Sequence, residues 1–136
     1  MPVVDASVVV DWVAPDADTD GPAMRALDEL VGGEPVLAPR LMLEEVANAL
    51  LTGIRRARWS GTDADQAFSR LRELPVEMVD MPSDLDRAWE LSRRYDEHPI
   101  YDLLYLALAR RVDRPLWTAD RRMADRVRSS GIRVIG

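Results

Sequence analysis

The sequence predicts an α/β fold in which a central, mostly parallel sheet carries helices on both faces. Short apolar or β-branched runs alternate with longer segments whose apolar residues recur at helical spacing. Parallel strands need crossover connections, and this alternation supplies helices for them. The 136 residues are close to the commonest size of one domain, so we expect a single domain over residues 1–136.

The N-terminal half predicts two strands and three helices. The opening run PVVDASVVVDWV indicates a strand, a turn that begins at Asp5, and a helix with Ser7 near its start. Residues 14–22 are rich in Asp and Pro and predict a loop, which is followed by a short helix and the strand PVLAP. The segment RLMLEEVANALLTGIRRARW predicts a long helix that contains Glu45. Its apolar face is predicted to contain Leu43, Val46, Ala47, Leu50 and Leu51.

The C-terminal half continues the alternation. Helical spacing extends over residues 62–74 and 85–95, and VEMVDM between them predicts a third strand. The most apolar helix is IYDLLYLALARRV, with Asp102 in its first turn. PLWTAD predicts a strand that runs into a turn at Asp120, ADRRMADRVRSSG a helix that ends at Gly131, and IRVIG the last strand.

The residue types restrict the chemistry of any metal site. Cysteine is absent and His98 is the single histidine, so neither a thiolate nor a histidine cluster is available. Any bound metal must therefore have oxygen ligands, which favours magnesium, manganese or calcium. We interpret His98, which precedes Pro99, as a surface or capping residue rather than a general base.

The charge distribution argues against a general nucleic-acid coat protein, because the net charge is -6. A local basic patch is still compatible with the sequence, since all 18 basic residues are arginine and many are clustered. The clusters are Arg55, Arg56 and Arg58; Arg110, Arg111 and Arg114; and Arg121, Arg122, Arg126 and Arg128. Neither a membrane-spanning run nor a signal peptide is recognisable, so we expect a cytoplasmic protein without a membrane partner.

Four acidic residues adjoin apolar segments: Asp5, Glu45, Asp102 and Asp120. Ligands of an open parallel sheet bind beyond the carboxyl ends of the strands, and Asp5 and Asp120 directly follow predicted strands. The helix of Asp102 precedes a strand, so we expect Asp102 at the opposite edge unless that helix is tilted. Glu45 has a competitor in the adjacent Glu44.

Convergence of these acids would create a site for a cation. Crowded carboxylates raise one another's pKa and destabilise the fold, and a hard divalent cation removes that penalty. Such a site suits metal-assisted hydrolysis of a phosphodiester. Ordinary roles are the alternative for each acid, because Asp5 and Asp120 fit turns or caps, Asp102 fits the positive end of a helix dipole, and Glu45 fits a solvated surface.

Four motifs carry a resemblance to a known family. VVDASVVVDW, PRLMLEEVANALL, IYDLLYLALA and WTADRRMAD follow in this order across most of the chain. The sequence resembles the PIN-domain nucleases, and within them the VapC-type toxins of bacterial toxin-antitoxin pairs. The resemblance implies a single PIN-like domain that forms an α/β/α sandwich.

The resemblance also implies the residues of the site. Asp5 and Asp102 match the principal ligands of magnesium, with manganese as an alternative ion. Glu45 and Asp120 match the acids that complete the pocket and orient or activate water. Polar groups that support these acids in the family correspond to Ser7, Asn48 and Thr118.

By the same resemblance, the expected activity is magnesium-dependent endoribonuclease cleavage of RNA, which a cognate VapB-like antitoxin restrains. A homodimer is expected as well. Two alternatives are open at this point: a catalytically silent PIN-like module that only binds RNA or protein, and a nuclease of the same fold that acts on DNA.

Overall fold

The computed structural model describes residues 1–30, 33–95, 99–127 and 131–136. The interpretation of His98 and the last arginine of the third cluster, Arg128, lie outside these residues. In the described ranges, no helix is both long and apolar enough to cross a bilayer.

The described chain has five strands and seven helices, with one or two helices between successive strands. The strands are β1 (Val3–Val4), β2 (Val36–Ala38), β3 (Val76–Met78), β4 (Leu116–Thr118) and β5 (Ile132–Val134). The helices are α1 (Ala6–Val13), α2 (Pro22–Asp28), α3 (Leu41–Arg55), α4 (Gly61–Leu71), α5 (Pro82–Arg94), α6 (Ile100–Val112) and α7 (Arg121–Val127). Every predicted strand and helix is present. The bounds of α4 and α5 differ from those predicted by a few residues, and α3 ends at Arg55, before the end of its predicted segment. The predicted course of the last helix to Gly131 passes through residues 128–130, which lie outside the described residues.

The strands form one sheet in the order β3-β2-β1-β4-β5, and each neighbouring pair is parallel. From β1 the chain first builds outward through β2 and β3, and then returns to build β4 and β5 on the other side. The topological switch point therefore lies between β1 and β4, which is the place where open α/β sheets bind ligands. The predicted parallel sheet is confirmed.

The helices pack in two groups, as an α/β/α sandwich requires. Helices α2, α3 and α4 each contact α1, whereas α5 packs along α6, and α6 contacts β1 and β4. The guanidinium of Arg111 on α6 binds the buried carboxylate of Asp84 on α5 through two hydrogen bonds, at 2.7 and 2.9 Å. The strands lie between these groups, and Val3, Val4 and Leu116 have no exposed surface. Burial of each of these three side chains stabilises the folded state by about 1.5–3 kcal/mol.

Helix α1 begins immediately after β1 because Asp5 caps it. Asp5 has extended backbone angles (φ -88°, ψ 169°), and its Oδ1 accepts the backbone N–H of Ser7 at 2.8 Å. The helix then buries Val8, Val9 and Trp12. The cap thus fixes the Asp5 carboxylate at the carboxyl end of β1.

Helix α3 buries a narrower face than the sequence predicts. Val46 and Leu50 are buried, and Met42 one turn earlier joins them. Leu51 is 55% exposed, so its assignment to the buried face is wrong. Residues four apart along a helix share a face, and the buried stripe follows that spacing, which places Leu51 to one side of it.

The end of α3 packs closely against an indole ring. The Nε1–H of Trp59 donates to the backbone carbonyl of Leu50 at 2.9 Å. A Cβ atom placed on Gly53 would lie 2.1 Å from carbon atoms of the Trp59 ring. Only glycine therefore allows this approach, which ties the end of α3 to the segment that leads into α4.

Substitution of Gly53 by Ala should destabilise the protein, because the buried Trp59 ring must shift. We expect the free energy of unfolding to fall by about 1–3 kcal/mol, as in other overpacked sites. Gly61→Ala is the matched control, since a Cβ there meets no atom within 4 Å and alanine favours the helix by about 0.4–1 kcal/mol. Urea unfolding of both variants measures the difference, and equal stability of the two would contradict this account of the packing.

Candidate active site

The carboxylate of Asp5 lies at the switch point and is held by two hydroxyl groups. Its Oδ1 accepts from the hydroxyl of Ser7, and its Oδ2 accepts from the Thr118 hydroxyl at 2.5 Å. Both hydroxyl oxygens also accept backbone N–H groups, from Ala119 to Ser7 at 2.9 Å and from Asp120 to Thr118 at 3.0 Å. The turn that follows β4 is thereby fixed to the end of β1.

Burial raises the pKa of the Asp5 carboxyl above its ordinary value, since only 6% of the residue is exposed. The hydrogen bonds from Ser7 and Thr118 oppose this rise, and the negative charge of Asp102 adds to it. The Asp102 carboxylate therefore lies close enough to act on Asp5.

The Glu45 carboxylate is half-buried on α3, and its Oε1 accepts a hydrogen bond from the hydroxyl of Tyr105 at 2.6 Å. Burial raises the pKa of Glu45, the Tyr105 hydrogen bond opposes the rise, and the charges of Asp102 and Asp5 add to it. The adjacent Glu44 is exposed and forms an ion pair with Arg40 at 2.6 Å. The structure thus places Glu45, and not Glu44, beside the other acids.

The expected position of Asp102 at the opposite edge is wrong. Helix α6 leads into β4, and the residue before β4, Pro115, accepts the backbone N–H of Val3 at 2.9 Å. The end of α6 therefore lies near the amino ends of the strands. A helix of this length extends roughly 20 Å, further than a three-residue strand, so its first turn reaches the carboxyl edge. There the charge of Asp102 raises the pKa values of Asp5 and Glu45.

Asp120 is linked to these acids by hydrogen bonds in the turn after β4. Its backbone N–H donates to the Thr118 hydroxyl, and its Oδ1 accepts the backbone N–H of Met123 at 3.1 Å, which caps α7. Asn48 is exposed one turn after Glu45 on α3. The structure thus brings Asp5, Glu45 and Asp102 into electrostatic contact and attaches Asp120 through Thr118.

Tyr105 belongs to this site although the sequence did not indicate it. Only 1% of it is exposed, and burial together with the Glu45 carboxylate raises the pKa of its phenol above the ordinary value. The available signal was its spacing, since it follows Asp102 by three residues on a largely aliphatic helix and therefore shares a face with it.

The donor set suits a hard divalent cation. Three carboxylates lie at the switch point, where the charge of Asp102 raises the pKa values of Asp5 and Glu45, and oxygen is the ligand atom that magnesium and manganese prefer. Within the described ranges, no three acidic or histidine side chains already stand at the spacing of a complete metal site. The site therefore suits magnesium or manganese because its side chains offer oxygen ligands and carry negative charge.

Comparison with known proteins identifies the family. The PIN domain family matches residues 3–128. The chain belongs to the PIN-domain family. Ribonuclease VapC9 of Mycobacterium tuberculosis is 30% identical to this PIN domain over 125 residues, which are 92% of this chain and 90% of that protein. Ribonuclease VapC1 of the same organism is 35% identical over 128 residues, which are 90% of this chain and 87% of that protein.

The architecture of this PIN domain also matches a solved structure. The crystal structure of Mycobacterium tuberculosis VapC20, a toxin that cleaves the sarcin-ricin loop, aligns with a TM-score of 0.70. The alignment covers 92% of this chain and 94% of that chain at 19% sequence identity, so it supports the fold. The predicted resemblance to PIN-domain proteins and VapC toxins is confirmed by these relatives.

The stability of this PIN domain should depend on pH through Glu45. A carboxyl whose pKa is raised in the native state binds its proton more tightly there than in the unfolded chain. Its contribution to stability is therefore greatest below the unfolded-state pKa of about 4 and declines as the pH rises through the native-state pKa. In EDTA, we expect the free energy of unfolding of Glu45→Gln to decline less with rising pH than that of the wild type.

Urea unfolding at several pH values between about 4 and 8 measures this difference. Glu44→Gln is the control, because it removes a carboxylate from the same helix at an exposed position outside the acidic pocket, and the effect of Glu45→Gln should be absent from it. Identical profiles for Glu45→Gln and the wild type would contradict the raised pKa of Glu45.

Proposed function

We propose that this PIN domain is a magnesium-dependent endoribonuclease toxin that cleaves RNA. The observation that carries the proposal is the shared negative charge of Asp5, Glu45 and Asp102 at the switch point of the sheet. The names of its relatives, which are VapC ribonucleases, support RNA as the substrate. The proposed domain spans residues 1–136.

We assign the principal metal contacts to Asp5 and Asp102, and the completion of the acidic pocket to Glu45 and Asp120. Magnesium, or manganese in its place, supplies a lowered pKa of bound water and stabilises negative charge on the phosphoryl oxygens. The pocket needs no imidazole, because carboxylates alone provide the hard oxygen ligands.

The other residues of the pocket fix these acids in place. Ser7 and Thr118 hold both oxygens of Asp5, so that its carboxylate cannot rotate away from the pocket. Asp102 is partly exposed in the first turn of α6, where it can meet both the pocket and a substrate. Asn48 is exposed near the same edge and is assigned a supporting polar role beside a bound substrate.

The arginine clusters differ in their freedom to bind phosphate. The guanidinium of Arg111 is bound to Asp84, Arg58 pairs with Asp16 at 2.9 Å, and Arg121 donates to the carbonyl of Gly136. Arg122 is exposed at the start of α7, two residues after Asp120. We assign the contact with an RNA phosphate to Arg122, which would offset the acidic net charge locally.

Protein partners are part of the proposal. A VapB-like antitoxin would cover the groove, and an arginine from it would bind the acidic carboxylates by charge-assisted hydrogen bonds. Apolar surface is available for an antitoxin or for a second copy in a homodimer, since Leu85 and Trp89 lie one turn apart on α5 and are 55% and 60% exposed. A separate apolar cavity of about 350 Å³ lies between α3, α4 and β3. We place the protein in the cytoplasm.

Asp5→Asn and Asp102→Asn should each lower magnesium-dependent cleavage of RNA by at least about 100-fold. Loss of a ligand should exceed the roughly 10- to 100-fold effect of losing an outer hydrogen bond. Asp120→Asn should have a smaller effect, because Asp120 is assigned to the completion of the pocket and not to a principal metal contact. An asparagine there can still cap α7 through the Met123 N–H, so the variant should fold. Cleavage of a labelled RNA by purified protein, with magnesium and with EDTA, measures the rates.

Glu44→Gln serves as the control and should cleave at the wild-type rate. Cleavage that survives in both Asp5→Asn and Asp102→Asn would contradict the site assignment. A wild-type protein that binds RNA without cleaving it would instead favour the silent binding module, and faster cleavage of single-stranded DNA would favour the DNA nuclease.

A further inference from the structure

The hydroxyl of Tyr105 connects two of the elements that carry the crowded carboxylates, α6 and α3. Tyr105 lies on α6 one turn after Asp102, and its side chain is buried. The hydroxyl donates to Oε1 of Glu45 on α3 at 2.6 Å, and the backbone N–H of Ala6, the residue after Asp5, is near enough to oppose the rise in the pKa of the phenol. The phenol thus joins α6 to α3 and lies beside the start of α1.

We propose that Tyr105 is a positioning residue that fixes the Glu45 carboxylate for a divalent cation shared with Asp5 and Asp102. This inference rests on the proposed function, because it concerns the same acidic pocket. It assigns to the tyrosine a role in cation affinity that acts entirely through Glu45.

The geometry of Glu45 explains why it needs such a partner. A glutamate side chain has three rotatable bonds, and a partly exposed carboxylate would otherwise turn toward water. The hydrogen bond occupies Oε1, so the second oxygen of Glu45 remains as a ligand atom. Hydrogen bonds that orient a metal-binding side chain typically change the metal affinity roughly 10- to 100-fold when they are removed.

The position of the Tyr105 phenol beside Ala6 relates Glu45 to Asp5. Ala6 is the first residue of α1, directly after the Asp5 cap, so its N–H position is set by the same turn that fixes Asp5. Because the buried Tyr105 hydroxyl lies beside that N–H, it places Glu45 at a defined distance from Asp5. A phenylalanine would keep the buried ring and lose the hydrogen bond to Glu45.

A purely structural role is the alternative. A buried tyrosine commonly satisfies its hydroxyl with any nearby acceptor, and its removal then weakens folding without regard to the metal. The two roles predict different results when Glu45 is replaced. In a positioning role, loss of the Tyr105 hydroxyl weakens cation binding only while Glu45 is present.

Isothermal titration calorimetry of the full chain with Mn2+, and then with Mg2+, tests the inference. We expect Tyr105→Phe to bind Mn2+ roughly 10- to 100-fold more weakly than the wild type. Tyr101→Phe is the matched control on the same helix, and it should bind as the wild type does because Tyr101 is 60% exposed. In a Glu45→Gln background, adding Tyr105→Phe should cause no further loss of affinity.

The outcomes separate this inference from the proposed function. Wild-type binding with unchanged affinity in Tyr105→Phe overturns the role of Tyr105 and leaves the proposed function standing. An equal loss in the Glu45→Gln background also overturns it, since the effect would not act through Glu45. A wild type that binds neither ion overturns the proposed function and, with it, this inference.

A measurement on the wild type covers the case in which Tyr105→Phe does not fold. The chain has three tyrosines, so 3-fluorotyrosine labelling gives a 19F signal for each of them. The Tyr105 signal should move on addition of Mg2+ with the midpoint found by calorimetry, and the Tyr95 signal should stay in place. A Tyr105 signal that does not move while calorimetry detects binding would overturn the inference.

Discussion

The buried carboxylate of Asp5 is the group on which the rest of the site depends. It closes the end of β1, caps α1, and accepts hydroxyl hydrogen bonds from Ser7 and Thr118, which in turn hold the backbone after β4. Burial raises the pKa of Asp5, and those hydrogen bonds oppose the rise. Those hydrogen bonds thus offset part of the cost of a buried carboxylate between the ends of β1 and β4, where a sheet of this topology binds its ligands.

Asp102 and Glu45 extend this constraint to two further helices. Each comes from a different element, and the charge of Asp102 raises the pKa values of both Asp5 and Glu45, so the proximity of these acids has a cost in free energy. Tyr105 lowers part of that cost by donating to Glu45. Crowding of this kind is typical of functional sites, where a particular arrangement of charge lowers the stability of the fold.

The sequence predicted the parts of the site that depend on local structure. A β-branched run followed by Asp5 is enough to place that residue at the carboxyl end of a strand. Three other features depend on how whole helices lie on the sheet, which the periodicity of a sequence does not encode. They are the choice between Glu45 and Glu44, the exposure of Leu51 and the location of Asp102. Tyr105 was missed for the same reason, because its acceptor lies 60 residues away in the chain.

The proposed function places one cation among Asp5, Glu45 and Asp102. Crystals grown with Mn2+ and measured above and below the manganese absorption edge test it most directly, since the anomalous difference locates the ion without reference to activity. We predict a peak within about 2–2.5 Å of oxygens from these three carboxylates. A peak at another place, or none there at a saturating Mn2+ concentration, would contradict the account.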